Sequence, residues 1–217
     1  MPALSSTPTP PAAEAPAAVG VLLAAGAGSR MGRPKALVVG DDGEPWLARG
    51  VRVLLAGGCS HVLVVLGAEA AAARALLAAS IPFAGPVTVV EAADWASGMA
   101  ASLRTGLAAA GALLASENGA AGADGGDGAV AITLVDLPAL EPAAVRRLLA
   151  GAGPTGLRQA FYRGRPGHPV VVGSAHLAAL AGSLHGDVGA RPYLVAHGVE
   201  PVDCSDLGGG DDVDSRP

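Results

Sequence analysis

Aromatic residues are scarce in this sequence, at 3% of its 217 residues, and there is no excess of positive charge, because the formal net charge is −5. Proteins that bind single-stranded nucleic acid stack bases on aromatic side chains, and nucleic-acid-binding domains carry a basic face. Outside one short glycine-rich turn, the sequence suggests neither feature. We therefore expect no nucleic-acid partner.

Long hydrophobic runs are also lacking, although 51% of the residues are hydrophobic. The apolar runs over 19–25 and 61–66 end at glycine, well short of the roughly 18 residues that a membrane-spanning helix needs. Residues 1–18 are rich in proline and alanine and lack the cationic start and apolar centre of a secretory signal. We expect a disordered leader over 1–18, one domain over 19–217, no membrane association and a cytoplasmic location.

Cysteine is rare as well: the two cysteines, Cys59 and Cys204, are far apart and have no paired spacing. This pattern predicts two reduced, buried thiols in a cytosolic protein. Because the sequence contains no cluster of cysteine and histidine, we do not expect a zinc site.

Apolar runs alternate with helical stretches along the rest of the chain. Strands are predicted over 19–24, 61–67, 86–91 and 128–136, and helices over 45–58, 69–80, 98–116, 142–151 and 174–182. Strands separated by helices indicate βαβ units, and hence an α/β fold whose mostly parallel sheet is covered on both faces. Residues 158–173 predict an antiparallel hairpin added to this sheet, and the polar segment at about 116–128 predicts a flexible insertion.

The turn after the first strand, VLLAAGAGSRMGRPKAL over 21–37, combines glycines with clustered cations. Two known phosphate loops do not fit it. Counted from Gly26 and Gly28, the sixth position of a dinucleotide fingerprint is Met31, and Gly32 is not followed by the Lys-Ser/Thr pair of a P-loop. What is left is a glycine turn with Arg30 and Lys35, which could hold an anion such as a triphosphate or could be a merely solvated basic turn.

Six segments in order resemble the signatures of one enzyme family. The stretch LAAGAGSRMGRPKAL resembles "LAAGxGxRMGxPKxL", WASGMAASLRTGL resembles "GMxxSLxxGL", and LVDLP resembles a strand-end "DxP". GRPGHPVVV, LHGDVGARPYL and DDVDSRP are similar to "RGHPVLF", "LxGDxGARxLL" and "DIDTPED". The sequence therefore resembles the MobA-like NTP transferases over 19–216, and most of all the molybdenum cofactor cytidylyltransferases.

This resemblance implies a Rossmann-like three-layer α/β/α nucleotidyltransferase fold with a mostly parallel sheet. It also implies transfer of CMP from CTP to the terminal phosphate of the molybdenum cofactor (molybdopterin), with release of pyrophosphate and dependence on Mg²⁺ or Mn²⁺. A client molybdoenzyme is a further implied partner. Guanylyl-transferring relatives show "LAGG" and "RMGxDK" where this chain has Ala25 and Pro34, so the resemblance favours CTP over GTP.

The family's site residues carry over position by position. The resemblance implies catalytic roles for Arg30, Lys35 and Asp136. It implies nucleotide contacts from Leu22, Ala24, Ala25, Gly26, Gly28, Gly32, Gly98 and Ser102, and acceptor contacts from Arg165, His168, Asp187 and Arg191. It implies a metal bound by Asp136 together with Asp212 or Asp214.

Several of these residues also have structural interpretations. Asp136 could instead cap the helix that follows it, and Ser97 is a plausible N-cap of the helix after Gly98. Asp187 and Arg191 could form a structural ion pair, and the C-terminal aspartates could be a solvated tail. Met99 is expected in the core.

Three other functions stay open at this stage. The same chemistry could use GTP or another nucleotide with a different phosphate acceptor. The protein could bind a nucleotide or cofactor without catalysis. A dinucleotide oxidoreductase is the third, and the glycine spacing argues against it.

Overall fold

The computed structural model describes residues 17–81, 85–117 and 128–213. Within them, seven strands form one sheet in the order β3-β2-β1-β4-β6-β5-β7. The strands are β1 (Ala17–Ala24), β2 (His61–Leu66), β3 (Val87–Glu91), β4 (Gly128–Leu134), β5 (Leu157–Tyr162), β6 (Arg165–Gly173) and β7 (Glu200–Asp203). Residues 1–16 of the predicted leader and 118–127 of the predicted insertion lie outside the described residues.

The centre of the sheet is parallel. β1 pairs with β2 on one side and β4 on the other, and β2 pairs with β3, all in parallel. β1, β2 and β4 are nearly continuous apolar runs buried along most of their length, as strands covered on both faces should be. The predicted hairpin is present as β5 and β6, which run antiparallel, and β6 pairs antiparallel with β4. The predicted α/β fold with an antiparallel addition is confirmed.

Six helices cover the two faces in the described part of the chain: α1 (Trp46–Ala56), α2 (Ala70–Ser80), α3 (Met99–Glu117), α4 (Pro142–Leu149), α5 (Leu177–Ser183) and α6 (Arg191–Ala196). One buried cluster joins α1, α2 and α4 to one face of the sheet. The other joins α3, α5 and α6 to the opposite face. These two clusters produce the three layers.

Helix α3 is long and apolar enough to cross a membrane by length and composition. Its apolar side chains are nevertheless used inside the fold, because Leu103, Leu107 and Leu114 are buried against the sheet. A core helix explains its hydropathy.

The two cysteines are free and buried, as predicted. Burial raises the pKa of the Cys59 thiol to about 12, so that side chain stays protonated and unreactive near neutral pH.

Candidate functional site

The chain leaves β1 and β4 at the same edge of the sheet, because these neighbouring strands are parallel and Leu23 is in register with Leu134. The glycine turn after β1 therefore meets Asp136, which follows β4. A cavity of about 430 Å³, here named the Lys35 cavity, opens between them. Its walls include Ala24, Ala25, Gly26, Gly28 and Lys35 from the turn, and Gly98, Ser102, Asp136 and Asp187 from other elements. Open parallel sheets bind ligands at this edge.

Lys35 and Asp136 form the polar centre of this cavity. The Lys35 Nζ atom lies 2.6 Å from Asp136 Oδ2, and each side chain is only 16% exposed. Asp136 does not cap the next helix, since α4 is preceded by Glu141, which makes no side-chain capping bond. Lys35 is also the one lysine in the sequence. The pair is therefore a half-buried ion pair that faces a cavity.

Two glycines of the turn differ in what they do. Gly28 has φ +63°, and a Cβ there would lie 1.9 Å from the Arg33 carbonyl oxygen, so the turn itself requires glycine. A Cβ at Gly26 would meet no atom within 4 Å, although Gly26 lines the cavity. No contact within the protein therefore requires glycine at position 26, whereas close approach of a ligand to the backbone would.

The opposite wall is built around the start of α3. Gly98 has φ +121°, and a Cβ there would lie 2.5 Å from the Gly186 carbonyl oxygen and 2.7 Å from Asp187 Oδ1. The amide of Ala100 donates to that same Gly186 carbonyl at 3.0 Å. Glycine at this position lets the 186–187 loop close on the helix and brings Asp187 to the cavity. Ser102, one turn later, is buried and lines the same wall.

A second, apolar cavity of about 240 Å³, here named the His168 cavity, adjoins the first. Leu23, Met99 and Leu134 line both cavities, while His168 and Arg191 line only the second. The prediction that Met99 lies in the core is wrong: it is 51% exposed. Its thioether forms part of the boundary between the two cavities, where a flexible apolar side chain can pack on a ligand.

His168 is held in a neutral form. Burial lowers its pKa from the ordinary value, and this effect outweighs the opposing contributions of the Ile132 carbonyl and of the negative charges on Asp136 and Asp212. The Nδ1 atom lies 3.3 Å from the Ile132 carbonyl oxygen, so in the tautomer protonated at Nδ1 this nitrogen donates to it. In that tautomer the other ring nitrogen carries a lone pair.

Other predicted site residues lie elsewhere. Leu22 is fully buried in the core, and Arg30 and Gly32 are exposed and do not line the Lys35 cavity. Arg165 lines a third cavity, and Asp212 is exposed and lines none of the three. Asp214 lies outside the described residues.

The proposed alternatives for the 187–191 loop and for Ser97 are not observed. No ion pair joins Asp187 to Arg191, and no hydrogen bond from the Ser97 side chain caps α3, although these three residues all lie within the described part. The Asp187 side chain is instead available to the Lys35 cavity.

The acidic residues permit a metal that is shared with a nucleotide. Within 17–81, 85–117 and 128–213, no group of three or more Cys, His, Asp or Glu residues could hold a metal by itself. Mg²⁺ needs only one or two carboxylates when substrate phosphates and water complete its octahedron. Asp136 fits that requirement, since its carboxylate borders the cavity, and the amide of Val213 donates to its backbone carbonyl at 3.0 Å and so brings the C-terminal segment close.

The chain is similar to known proteins over most of its length. A family model described as the MobA-like NTP transferase domain matches residues 20–202. A nicotine blue oxidoreductase from Paenarthrobacter nicotinovorans is 38% identical over 212 residues, which are 92% of this chain and 93% of that protein.

Solved structures show the same fold. Rv0371c from Mycobacterium tuberculosis H37Rv superposes with a TM-score of 0.67 and 27% identity, over 93% of this chain and 94% of that one. The same protein in complex with manganese gives a TM-score of 0.61 and 25% identity, over 86% of this chain and 88% of that one.

Proposed function

Because the chain belongs to the MobA-like NTP transferase family of nucleotidyltransferases, we propose that it transfers CMP from CTP to the terminal phosphate of a molybdopterin-type cofactor. The observation that carries this proposal is the convergence of Lys35 and Asp136 on one cavity walled by a glycine turn. Such a cavity offers charge to phosphates and backbone to their oxygens. Among the described residues that line it there is no Ser-His or Cys-His pair, so the reaction it favours is direct transfer.

In this reaction, an oxygen of the acceptor phosphate attacks the α-phosphorus of CTP. The new P–O bond forms as the bond from that phosphorus to the bridging oxygen of the β-phosphate breaks, and pyrophosphate leaves with the electron pair. A phosphomonoester has a second pKa of about 6, so the attacking oxygen is already anionic at neutral pH and needs no strong base. The main obstacle is repulsion between the two anions.

The site must therefore neutralise the negative charges of the triphosphate and of the acceptor phosphate. We assign the Lys35 ammonium to the phosphates, because it borders the cavity and can turn from Asp136 to a phosphate oxygen. The glycine turn around Gly26 and Gly28 is assigned to the departing pyrophosphate through its amides. Arg30, which is exposed on the same turn, would reach the phosphates only if its side chain swings toward the cavity.

A divalent ion would be held by Asp136, with Asp212 or Asp214 as a second carboxylate. When bound, Mg²⁺ or Mn²⁺ supplies positive charge that offsets the triphosphate. The manganese complex of the mycobacterial homologue supports a divalent ion in this family.

The base and ribose are assigned to the side of the Lys35 cavity formed by small residues. Ala24, the last residue of β1, and Ala25, which follows it, line that side. Gly98, just before α3, and Ser102 in α3 line the same cavity. The Ser102 hydroxyl makes no hydrogen bond to any described residue, so it can bond a ribose hydroxyl or a base edge. The assignment of CTP over GTP rests on Ala25 and Pro34. Leu22 and Gly32 would contribute only backbone atoms.

The His168 cavity is assigned to the acceptor. It is mostly apolar, so it can pack against the faces of a planar ring, and Arg191 in its lining can pair with an acceptor phosphate. Asp187, which is also assigned to the acceptor, lines the adjoining Lys35 cavity. A client molybdoenzyme and a cytoplasmic location complete the proposal.

A nucleotide panel tests the proposal. The full chain is incubated with CTP, GTP, ATP or UTP, together with Mg²⁺ and purified molybdopterin cofactor, and pyrophosphate and product mass are measured. We expect one pyrophosphate per cytidylylated cofactor and the highest rate with CTP. Binding of CTP without pyrophosphate release would instead indicate a non-catalytic nucleotide-binding protein.

A second candidate function is an oxidoreductase. The observation that favours it is the 38% identity to the nicotine blue oxidoreductase over nearly the whole of both chains. In that case the two adjoining cavities would hold a dinucleotide and a flat substrate. Oxidation of a reduced nicotinamide dinucleotide in the presence of nicotine blue, followed by absorbance, distinguishes it from nucleotidyl transfer.

A further inference from the structure

A third cavity, of about 350 Å³, lies between the β5–β6 turn and the chain after β7. It is here named the Arg163 cavity and is lined by Tyr162, Arg163, Arg165, Ser205, the stretch 208–210 and Asp211. It shares no lining residue with the Lys35 cavity or the His168 cavity. The proposed reaction does not use it.

Two unpaired cations line this cavity. Neither the Arg163 nor the Arg165 guanidinium makes an ion pair or hydrogen bond to any residue in the described part. Nearby arginines differ, since Arg147 pairs with Asp206 and Arg158 pairs with Glu200. Two like charges that line one cavity repel each other, and an anion bound in that cavity offsets the repulsion.

The backbone of the Arg163 turn is fixed in place. Arg163 has φ +53°, and its amide donates to Ser205 Oγ at 2.8 Å. The Ser205 hydroxyl in turn donates to Asp203 Oδ1 at 2.5 Å. The two arginines are thus presented by a turn that is tied to the opposite wall of the cavity, which limits the ordering that a ligand must impose.

The glycine stretch 208–210 contributes unused backbone donors. A Cβ at Gly209 would lie 2.4 Å from the Ala139 carbonyl oxygen, and one at Gly210 would lie 2.4 Å from the Tyr162 ring, so the stretch is packed closely on both sides. Even so, the amides of these glycines donate to no described residue. Amides in a partly buried segment need partners, and successive amides form concavities that bind anions.

We propose that the Arg163 cavity binds the phosphoryl group of a small phosphorylated molecule, at a site separate from the catalytic one. Guanidinium forks match phosphate oxygens, and the glycine amides add donors without charge. Among the residues that line the cavity, two arginines and the Asp211 carboxylate sum to one net positive charge, which favours an anion. The cavity is several times the size of one phosphate, so it has room for the rest of a small molecule.

Inorganic phosphate is the probe. The full chain is titrated with phosphate in the absence of nucleotide and metal, and binding is followed by calorimetry and by ³¹P line broadening. The test variants are R163Q/R165Q and the single variant R165Q, each checked for an unchanged circular dichroism spectrum. R74A is the matched control, because Arg74 is exposed on α2 and lines none of the three cavities. K35A removes the catalytic cation.

We expect saturable binding that weakens about tenfold or more in R163Q/R165Q and by a smaller factor in R165Q, because the double variant removes both guanidinium groups that can form charge-assisted bonds to the phosphate. R74A should bind phosphate like the wild type, and K35A should retain the binding that R163Q/R165Q loses. Absence of saturable binding would overturn the proposal, as would binding that survives R163Q/R165Q but is lost in K35A. Binding of citrate in preference to phosphate would overturn the phosphoryl assignment. None of these outcomes depends on nucleotidyl transfer.

Discussion

Substitution of Lys35 by alanine removes the ammonium that faces the Lys35 cavity at 2.6 Å from Asp136. A cation about 4 Å from a phosphate charge contributes about 4 kcal/mol at an effective dielectric constant near 20. Loss of one such preorganised group from a transition state costs about 2.7–4 kcal/mol in measured enzymes. Each tenfold in rate is about 1.36 kcal/mol, so we expect turnover to fall by about 100-fold or more.

The same substitution should change stability far less. It leaves the Asp136 carboxylate without its partner, but that carboxylate borders an open cavity and water can reach it. We expect the free energy of unfolding to fall by about 1 kcal/mol, as for a partly solvated pair. Urea unfolding measures this directly. A large loss of activity with a small loss of stability is the combination that assigns Lys35 to the reaction.

Because Lys35 is the one lysine, chemical labelling offers a second assay. An amine-reactive reagent can modify only Lys35 and the chain's N-terminus, and peptide mass spectrometry separates the two. CTP with Mg²⁺ should protect Lys35 and leave the N-terminus unprotected. R74A serves as the control for loss of an exposed cation. Wild-type turnover in K35A, or labelling of Lys35 that CTP does not slow, would refute the assigned role.

Three further predictions follow from the same geometry. Gly28→Ala should lower the free energy of unfolding by about 1–3 kcal/mol. Gly26→Ala should leave the free energy of unfolding unchanged but weaken CTP binding. Equal midpoints of urea unfolding for the two variants would contradict this difference. The metal-free protein should lose stability as the pH falls below 6.5, because His168 binds a proton there in the unfolded chain but not in the folded one. His168→Asn should reduce this loss. If the slope of stability against pH is the same in the variant, His168 is not its cause. Chelation should abolish turnover reversibly with the fold intact by circular dichroism, and turnover that persists with excess chelator would rule out the metal.

Much of the fold could be predicted from the sequence. The runs in β1, β2 and β4 are apolar enough to require burial on both faces, and the helices between them require parallel crossovers. Strand β7 and helix α6 were not predicted. β7 has four residues, of which only Val202 is buried, and α6 has six residues, so neither is long enough to show a period.

Part of the candidate site was also predictable. Parallel strands end at one edge of the sheet. The glycine turn after the first strand was therefore expected to lie near the aspartate after the fourth predicted strand, and Lys35 does contact Asp136. The direction of the Arg30 side chain depends on the geometry of the turn, which the residue types do not specify. Met99 is apolar, and composition alone assigns such a residue to the core; its exposure depends on the 186–189 loop beside it.

No motif in the sequence predicted the Arg163 cavity. Its two arginines and its glycine stretch are separated by about forty positions, and only the pairing of β5 with both β6 and β7 brings them together. A lone Arg-Gly-Arg turn and a Gly-rich stretch each look like ordinary surface loops.

Product identification in a single reaction tests the central claim most directly. The chain is incubated with CTP, Mg²⁺ and molybdopterin cofactor, and the products are resolved by mass and by pyrophosphate assay over time. The account predicts a cofactor heavier by one cytidylyl group and an equal amount of pyrophosphate, both lost in K35A. Oxidation of a reduced nicotinamide dinucleotide, with no nucleotidylated product from any of the four nucleoside triphosphates, would contradict it.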